Sequence, residues 1–289
     1  MNPAESDDIR RADALLEQLL ARIEVYYDAV PRSAARAEDF GALTLFVREG
    51  RGWPYYARPT PGWTGDAASA AEVARVRARQ RELGAPESFE WVAETTPGLR
   101  TAVEETGLAV HEHPLLALGL DGGEAPDTRV AAEGAAVRVL EAGDPALAYA
   151  VAVPHVAFGQ PDTLVGEAGA RELAETVREL VDDGSVDGVA ERIRNGYTVV
   201  AVAEEGGSAV CAGQHQPVGA VSEIVGVGTL PSARRRGLGL AVTAALVADA
   251  RERGIRTVFL SAGNDDVARI YERLGFRRVA TALVAEPGE

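Results

Sequence analysis

Lysine is absent from this sequence of 289 residues, whose basic side chains are all arginine. With so much alanine, glycine, arginine and valine, that absence reads as a coding bias and carries no function. Cysteine occurs once, at Cys211, which excludes an internal disulfide. No apolar run approaches the ~20 residues that a membrane-spanning helix needs. The polar, acidic stretch Met1–Arg11 lacks the pattern of a secretory signal. The reading is therefore a soluble chain in a reducing, cytoplasmic setting, without membrane contact. Positive charge is also in short supply. The formal net charge is −15, which repels phosphate backbones and argues against a nucleic-acid partner. An apolar fraction of 46% is ordinary for a globular protein and too high for disorder.

The first half begins with helical spacing over Ile9–Ala29, ended by Pro31. A strand over Leu43–Arg48 and a return over Trp53–Ala57 would flank the turn Gly50-Arg51-Gly52. Helices follow at Ala68–Leu83 and Pro97–Thr106, with strands at Phe89–Val92 and Leu108–Leu118. Asp121–Asp127, with two glycines and a proline, is the expected linker. The second half starts with a strand at Ala136–Leu140 and helices at Pro145–Val153 and Ala168–Asp183, extended by Val189–Asn195. Strands at Tyr197–Ala203, Ala209–Val218 and Glu223–Leu230 come next, the first two joined by a turn at Glu205-Gly206-Gly207. A helix over Leu238–Arg253, a strand at Thr257–Ser261, a helix at Asp265–Leu274 and a strand at Phe276–Ala285 complete the chain.

The halves resemble each other. Arg81-Glu82-Leu83-Gly84 and Arg251-Glu252-Arg253-Gly254 occupy matching places, each followed by a strand, a short helix and a glycine. Gly107-Leu108 matches Gly275-Phe276 in the same way. This suggests a duplication, with domains at 1–125 and 126–289. The first copy has Pro59–Gly65 where the second has Arg234-Arg235-Arg236-Gly237-Leu238-Gly239.

That second turn is built for a phosphate. Gly237 and Gly239 let backbone come close, and the helix from Leu238 offers unpaired N–H groups and its positive dipole end. The arginines add planar guanidinium donors. Arg-x-x-Gly-x-Gly alone is a weak signal, and its bland reading is a solvated helix start. The residues downstream change that balance: Asn264 opens a short helix, and Tyr271 lies on it before Leu274-Gly275-Phe276.

With the strand ending Val227-Gly228-Thr229-Leu230-Pro231, this turn, Asn264 and Tyr271–Phe276, the chain resembles the GCN5-related N-acetyltransferase (GNAT) family from about Glu223 to Ala285. Weaker agreement in element order reaches back to about Val137. Val267 departs from the pattern, standing where the family often has alanine. The front half resembles a degenerate copy without a cofactor turn. The resemblance implies an α/β (α+β) protein of two GNAT-like domains, each a mixed, mainly antiparallel sheet flanked by helices. In the second, a strand splays open to admit acetyl-CoA, the acyl donor, with no metal. Val227, Gly228 and Thr229 would bind the pantetheine arm through backbone. Arg234, Arg235, Arg236, Gly237, Leu238, Gly239 and Leu240 would hold the pyrophosphate. Asn264, Ala268 and Tyr271 would border the arm and the sulfur.

The chemistry needs a neutral amine, a donor for the developing oxyanion and a proton for the leaving thiolate. Backbone N–H groups near Val227 suit the oxyanion, Tyr271 the thiolate, and Glu223 the amine proton. The acceptor is then a small-molecule or protein amine, and the chain a monomer or homodimer. A non-catalytic acyl-CoA-binding sensor is the alternative. His111 and His113 share a strand face but lack a third metal ligand in view. His155 is a candidate for lining the acceptor site, and His215 reads equally well as surface. Cys211 reads as core, and Trp53, Tyr55 and Tyr56 as hairpin packing.

Overall fold

The computed structural model describes residues 3–50, 52, 54–119, 132, 134–160 and 163–288. The expected linker Asp121–Asp127 and the aromatic Trp53 lie outside the described residues. In chain order the elements are α1 (Pro3–Ala29), β1 (Ala35–Asp39), β2 (Leu43–Arg48), β3 (Ala57–Pro59), α2 (Ala70–Glu82), β4 (Phe89–Val92), α3 (Leu99–Glu104) and β5 (Leu108–Gly119). Then come β6 (Ala136–Val139), α4 (Leu147–Phe158), α5 (Ala170–Asp182), α6 (Ser185–Arg194), β7 (Val199–Glu205), β8 (Ser208–Val218) and β9 (Val221–Thr229). The chain finishes with α7 (Leu238–Glu252), β10 (Thr257–Ser261), α8 (Asp265–Glu272) and β11 (Arg277–Pro287). No described helix is long and apolar enough to cross a membrane.

Contacts divide the chain into two compact units, Met1–Leu115 with Arg278–Glu289, and Leu116–Arg277. The closing strand β11, expected to end the second half, pairs antiparallel with β4 and groups with the first unit. The first unit's strands run β1-β2-β3-β4-β11. β3 and β4 are parallel, while β1–β2, β2–β3 and β4–β11 are antiparallel. Leu43, Leu45, Phe89 and Trp91 face Val73 and Val76 of α2 in one core. β1 escapes the sequence pattern because its Ala-Arg-Ala-Glu-Asp run has no apolar alternation; it forms by pairing with β2 along the sheet edge. The return strand begins only at Ala57, at the end of the expected Trp53–Ala57.

In the second unit the strands run β6-β7-β8-β9-β10, antiparallel up to β9 and parallel between β9 and β10. α7 lays Leu238, Val242 and Leu246 into a core shared with Val200, Val202 and Ile224. α4 runs on through Pro154 to Phe158, beyond the expected end at Val153. A proline removes one helical hydrogen bond, but here Ala150, Val153 and Ala157 are buried on the same helix, so packing overrides the break.

The first unit holds a buried cation, Arg58, ion-paired with Glu24 and stacked 4.8 Å from the Tyr27 ring centre. Burial pushes the nearby Glu90 carboxyl up to about 7, against the opposing attraction of Arg58. Its unperturbed value is 4.5, so between these limits the folded state holds a proton that the unfolded state has lost. The contribution of Glu90 to stability is therefore greatest below pH 4.5 and falls as pH rises to about 7. Urea unfolding of wild type and Glu90→Gln at about pH 5 and about pH 8 checks this. Wild type should lose stability relative to the variant at the higher pH, and a constant difference refutes the assignment.

Candidate active site

β9 is registered with β10 only over Val221↔Thr257, Ser222↔Val258 and Glu223↔Phe259, yet it continues to Thr229. On its other side it stays paired with β8, with a register shift: Val225 faces Gln214, and Gly228 faces Ala212. Two residues of β9, Gly226 and Val227, thus oppose Gly213 alone, which is a β-bulge. Gly226 has φ +63°, a conformation that favours glycine. The bulge bends β9 out of the ladder where its pairing with β10 has ended, so the strands part beyond Glu223.

α7 begins opposite that opening. Gly237 precedes it in the left-handed region (φ +75°), and no side chain caps the helix. Its first turn therefore presents N–H groups without intrahelical acceptors. A Cβ placed on Gly239 would lie 3.7 Å from Thr229 Oγ1 and 3.8 Å from Val227 Cγ1, so the helix start and the bulged strand adjoin. Leu238 and Leu240 are buried and anchor the turn from below. Gly228 is held on the opposite face, where a Cβ would sit 2.9 Å from Pro154 Cα and from Ala157 Cβ of α4.

The three arginines have separate fates. Arg234 donates to the carbonyls of Ala157, Gln160 and Leu164. Arg236 makes a bidentate pair with Glu205, at 2.8 and 2.9 Å. Arg235 is exposed, has φ +66°, and has no hydrogen-bond or ion-pair partner among the described residues. It is the one non-glycine residue at positive φ among those described.

On α8, Asn264 caps the helix by accepting from the Val267 N–H at 3.0 Å. Ala268 is fully buried, and Tyr271 is 8% exposed with its ring edge-on to Phe276. The Tyr271 hydroxyl has no hydrogen-bond partner among the described residues. Burial, reinforced by the neighbouring Cys211, raises the Tyr271 pKa and keeps the phenol protonated. Glu223 is buried at the last registered pair of β9 and β10. By strand alternation it points to the α4 face of β9, the side on which Gly228 packs.

Sequence reasoning missed two contacts. Cys211, expected in the core and found there, accepts a hydrogen bond from Thr229 Oγ1 at 3.2 Å. Burial pushes its thiol up to about 12, partly offset by that bond. His215, which the sequence leaves open between strand interior and surface, is fully buried. Its Nδ1 lies 2.8 Å from Ser222 Oγ and its Nε2 3.0 Å from Asp249 Oδ1. Burial acts to raise the Asp249 pKa, but hydrogen bonds from His215 and Arg253 outweigh it and the net shift is downward. Ser222 has no exposure either, so this Ser-His-Asp chain ties β8, β9 and α7 together and offers no nucleophile. The hairpin β8–β9 carried the signal, since its register opposes Pro217 to Ser222. On α4, His155 is half-buried, and burial lowers its pKa against the attraction of Asp183. His111, on β5, lies 3.9 Å from Glu286.

A bulged strand that leaves its parallel neighbour opposite an uncapped helix start, within a mixed, mainly antiparallel sheet, defines the GNAT fold. Comparison bears this out. A GCN5-related N-acetyltransferase from Kribbella flavida superposes with a TM-score of 0.66 at 24% identity, covering 93% of this chain and 96% of that one. A tandem GNAT protein from the clavulanic acid biosynthesis pathway gives a TM-score of 0.54 at 15% identity, covering 86% and 79%. In sequence, residues 193–284 match the family described as FR47-like protein. A mycothiol acetyltransferase from Cellulomonas flavigena is 40% identical over 81 residues, 26% of this chain. The match spans only 23% of that relative's length.

Gly228→Val should drive its side chain into Pro154 and Ala157. Overpacking of this kind costs about 1–3 kcal/mol. Denaturant unfolding should show a lowered midpoint, and an unchanged midpoint would mean that α4 yields freely.

Proposed function

We propose that this chain is a GNAT-type acetyltransferase that transfers an acetyl group from acetyl-CoA to a primary amine of a small molecule or protein. The observation that carries the reading is the parting of β9 from β10 opposite the uncapped start of α7. The FR47-like match covers the same stretch of chain. Acetyl-CoA supplies the activated acyl group, as a thioester. The N–H groups of the first turn of α7, Leu238 through Leu240, would meet its pyrophosphate, with Gly237 and Gly239 leaving room. Arg235 is free to turn toward a phosphate, whereas Arg234 and Arg236 shape the turn through the partners they already hold. Backbone of Val227, Gly228 and Thr229 would align the arm, while Ala268 and Tyr271 border it. Asn264 acts on that wall through its cap on α8.

Tyr271, kept protonated by burial, would give its proton to the departing sulfur. Glu223 would take the proton of the attacking amine, directly or through water. A backbone N–H near Val227 would stabilise negative charge on the acyl oxygen. The domain reading 1–125 and 126–289, with a single site in the second copy, belongs to this proposal. The buried free thiol of Cys211 is in keeping with a cytoplasmic setting.

Free-thiol release from acetyl-CoA across an amine panel tests the activity. Tyr271→Phe should slow turnover by about 10²-fold, the low end for general acid catalysis, with CoA affinity little changed. Undiminished turnover would remove the tyrosine from its role. Tight CoA binding without turnover on a broad panel would favour a binding module instead. Gly237→Val forces a branched residue to φ +75°. At about 1–2 kcal/mol of strain, CoA affinity should fall by about tenfold in titration calorimetry without loss of the fold. Unchanged affinity would sink the cradle. Wild type should bind one CoA per chain.

A further inference from the structure

The segment that enters the turn is zipped to the segment that leaves α4. Gly166 N–H donates to Pro231 O at 3.0 Å, and Ser232 N–H donates to Ala168 O at 3.1 Å. Arg234 then closes the contact with three more bonds, to Ala157 O (2.9 Å), Gln160 O (2.5 Å) and Leu164 O (3.1 Å). The two segments approach so closely that a side chain at either of two glycines would press on the facing segment. A Cβ on Gly166 would lie 3.0 Å from Pro231 Cβ, and one on Gly169 would lie 2.7 Å from Ser232 Oγ. The end of α4 is also pinned from the sheet side, where Gly228 leaves no room between β9 and Ala157.

One guanidinium spanning three carbonyls is unsuited to gripping a phosphate. Three of its five N–H donors are already committed to carbonyls, and turning them to a phosphate would break the bonds that tie the turn to the end of α4. Its planar fork is suited to holding two chain segments in fixed relation, a task that a lysine's point charge does poorly. Arg235, next in sequence, is exposed and unpartnered among the described residues, so the neighbouring positions divide the work.

We propose that Arg234 is a positioning residue that couples occupancy of the turn Arg234–Gly239 to the placement of the end of α4 and of residues 163–169. A CoA-type ligand drawing on the α7 N–H groups fixes the turn, and through Arg234 it fixes the wall on the Glu223 side of β9. The inference rests on the acetyl-CoA reading of the turn, and goes beyond it by assigning the residue that links the turn to the end of α4.

The test is hydrogen exchange of the full chain, with and without CoA, together with CoA titration calorimetry. In wild type, CoA should slow exchange of residues 155–160 and 163–169 by about fivefold, the low end of typical coupling between sites. In Arg234→Gln, CoA affinity should stay within about threefold of wild type, well under 1 kcal/mol, and the slowing should vanish. Gly166→Val, which wedges the segments apart without touching the arginine, should give the same pattern. It serves as the second probe if Arg234→Gln melts early. Slowing that persists in both variants overturns the coupling. A loss of CoA affinity of about tenfold or more in Arg234→Gln, with wild-type exchange in the segment, would make Arg234 a phosphate ligand and overturn it too. If wild type binds CoA and the segment does not respond, the coupling falls while the cofactor reading stands. If wild type binds no CoA, the reading of the turn itself falls.

Discussion

β9 can leave β10 only because the backbone is able to bend at Gly226 while keeping its ladder with β8. A regular strand in that position would continue its pairing past Glu223↔Phe259 and close the sheet. The inserted residue puts Gly226 at positive φ and re-aims Val227 and Thr229 toward the start of α7. Everything proposed for the site follows from that bend. The strand edge gains N–H and C=O groups without a sheet partner, and such groups seek one. The face of β9 opposite α7 is sealed by α4, through the contact at Gly228. A ligand lying in the opening is thus bounded by helix on one side and strand on the other.

The starts of α2 and α7 show why matching element order need not bring matching function. α2 begins with a reciprocal capping box: Ser69 Oγ accepts from Glu72 N–H, and the Glu72 carboxylate accepts from Ser69 N–H at 2.8 Å. That backbone bond, helped by the Ser69 hydroxyl, holds the Glu72 carboxyl below its ordinary range. The helix thereby carries its own anion, and a phosphate there would meet both spent donors and like charge. α7 starts from Gly237 and has no such side chain, so its donors and dipole remain for an external anion. A cap is worth about 1 kcal/mol to a helix. α7 forgoes that stabilisation and relies on burial of Leu238, Val242 and Leu246.

Much of this was legible in the sequence. The bounds of β2, β4 and β10 follow from short β-branched or aromatic runs between turn residues, and α7 from its apolar stripe after a glycine turn. What escaped was set by partners distant in the chain. β1 has no apolar pattern and exists through its ladder with β2. α4 passes Pro154 because its buried face outweighs one lost hydrogen bond. The last strand obeyed its pattern, yet it pairs with β4, some 190 residues earlier, and no local signal reports a pairing partner at that distance. His215 looked neutral in sequence because its burial depends on Asp249, which reaches it from α7. The candidate site followed the same division. Its backbone parts were readable from Gly and helix signals, while the side-chain assignments of the arginines were not, since three identical residues in a row give no clue to which is already engaged.

Those engagements answer an electrostatic difficulty. Three adjacent guanidinium groups repel one another, and a turn carrying all three unpaired would tend to open before any ligand arrived. Arg236 is balanced by Glu205, whose carboxyl it draws below the ordinary range. As a partly exposed pair it adds little stability, but its two parallel bonds fix where the chain runs. Arg234 is spread over carbonyl dipoles, which soften its charge without cancelling it. Arg235 is left as a solvated cation on a strained backbone, in a chain of net charge −15. An incoming polyphosphate thus meets a small positive region within an otherwise repulsive field. The pairing of its neighbours keeps that region compact, because a turn already held by Glu205 and by the end of α4 has less conformational freedom left to lose on binding.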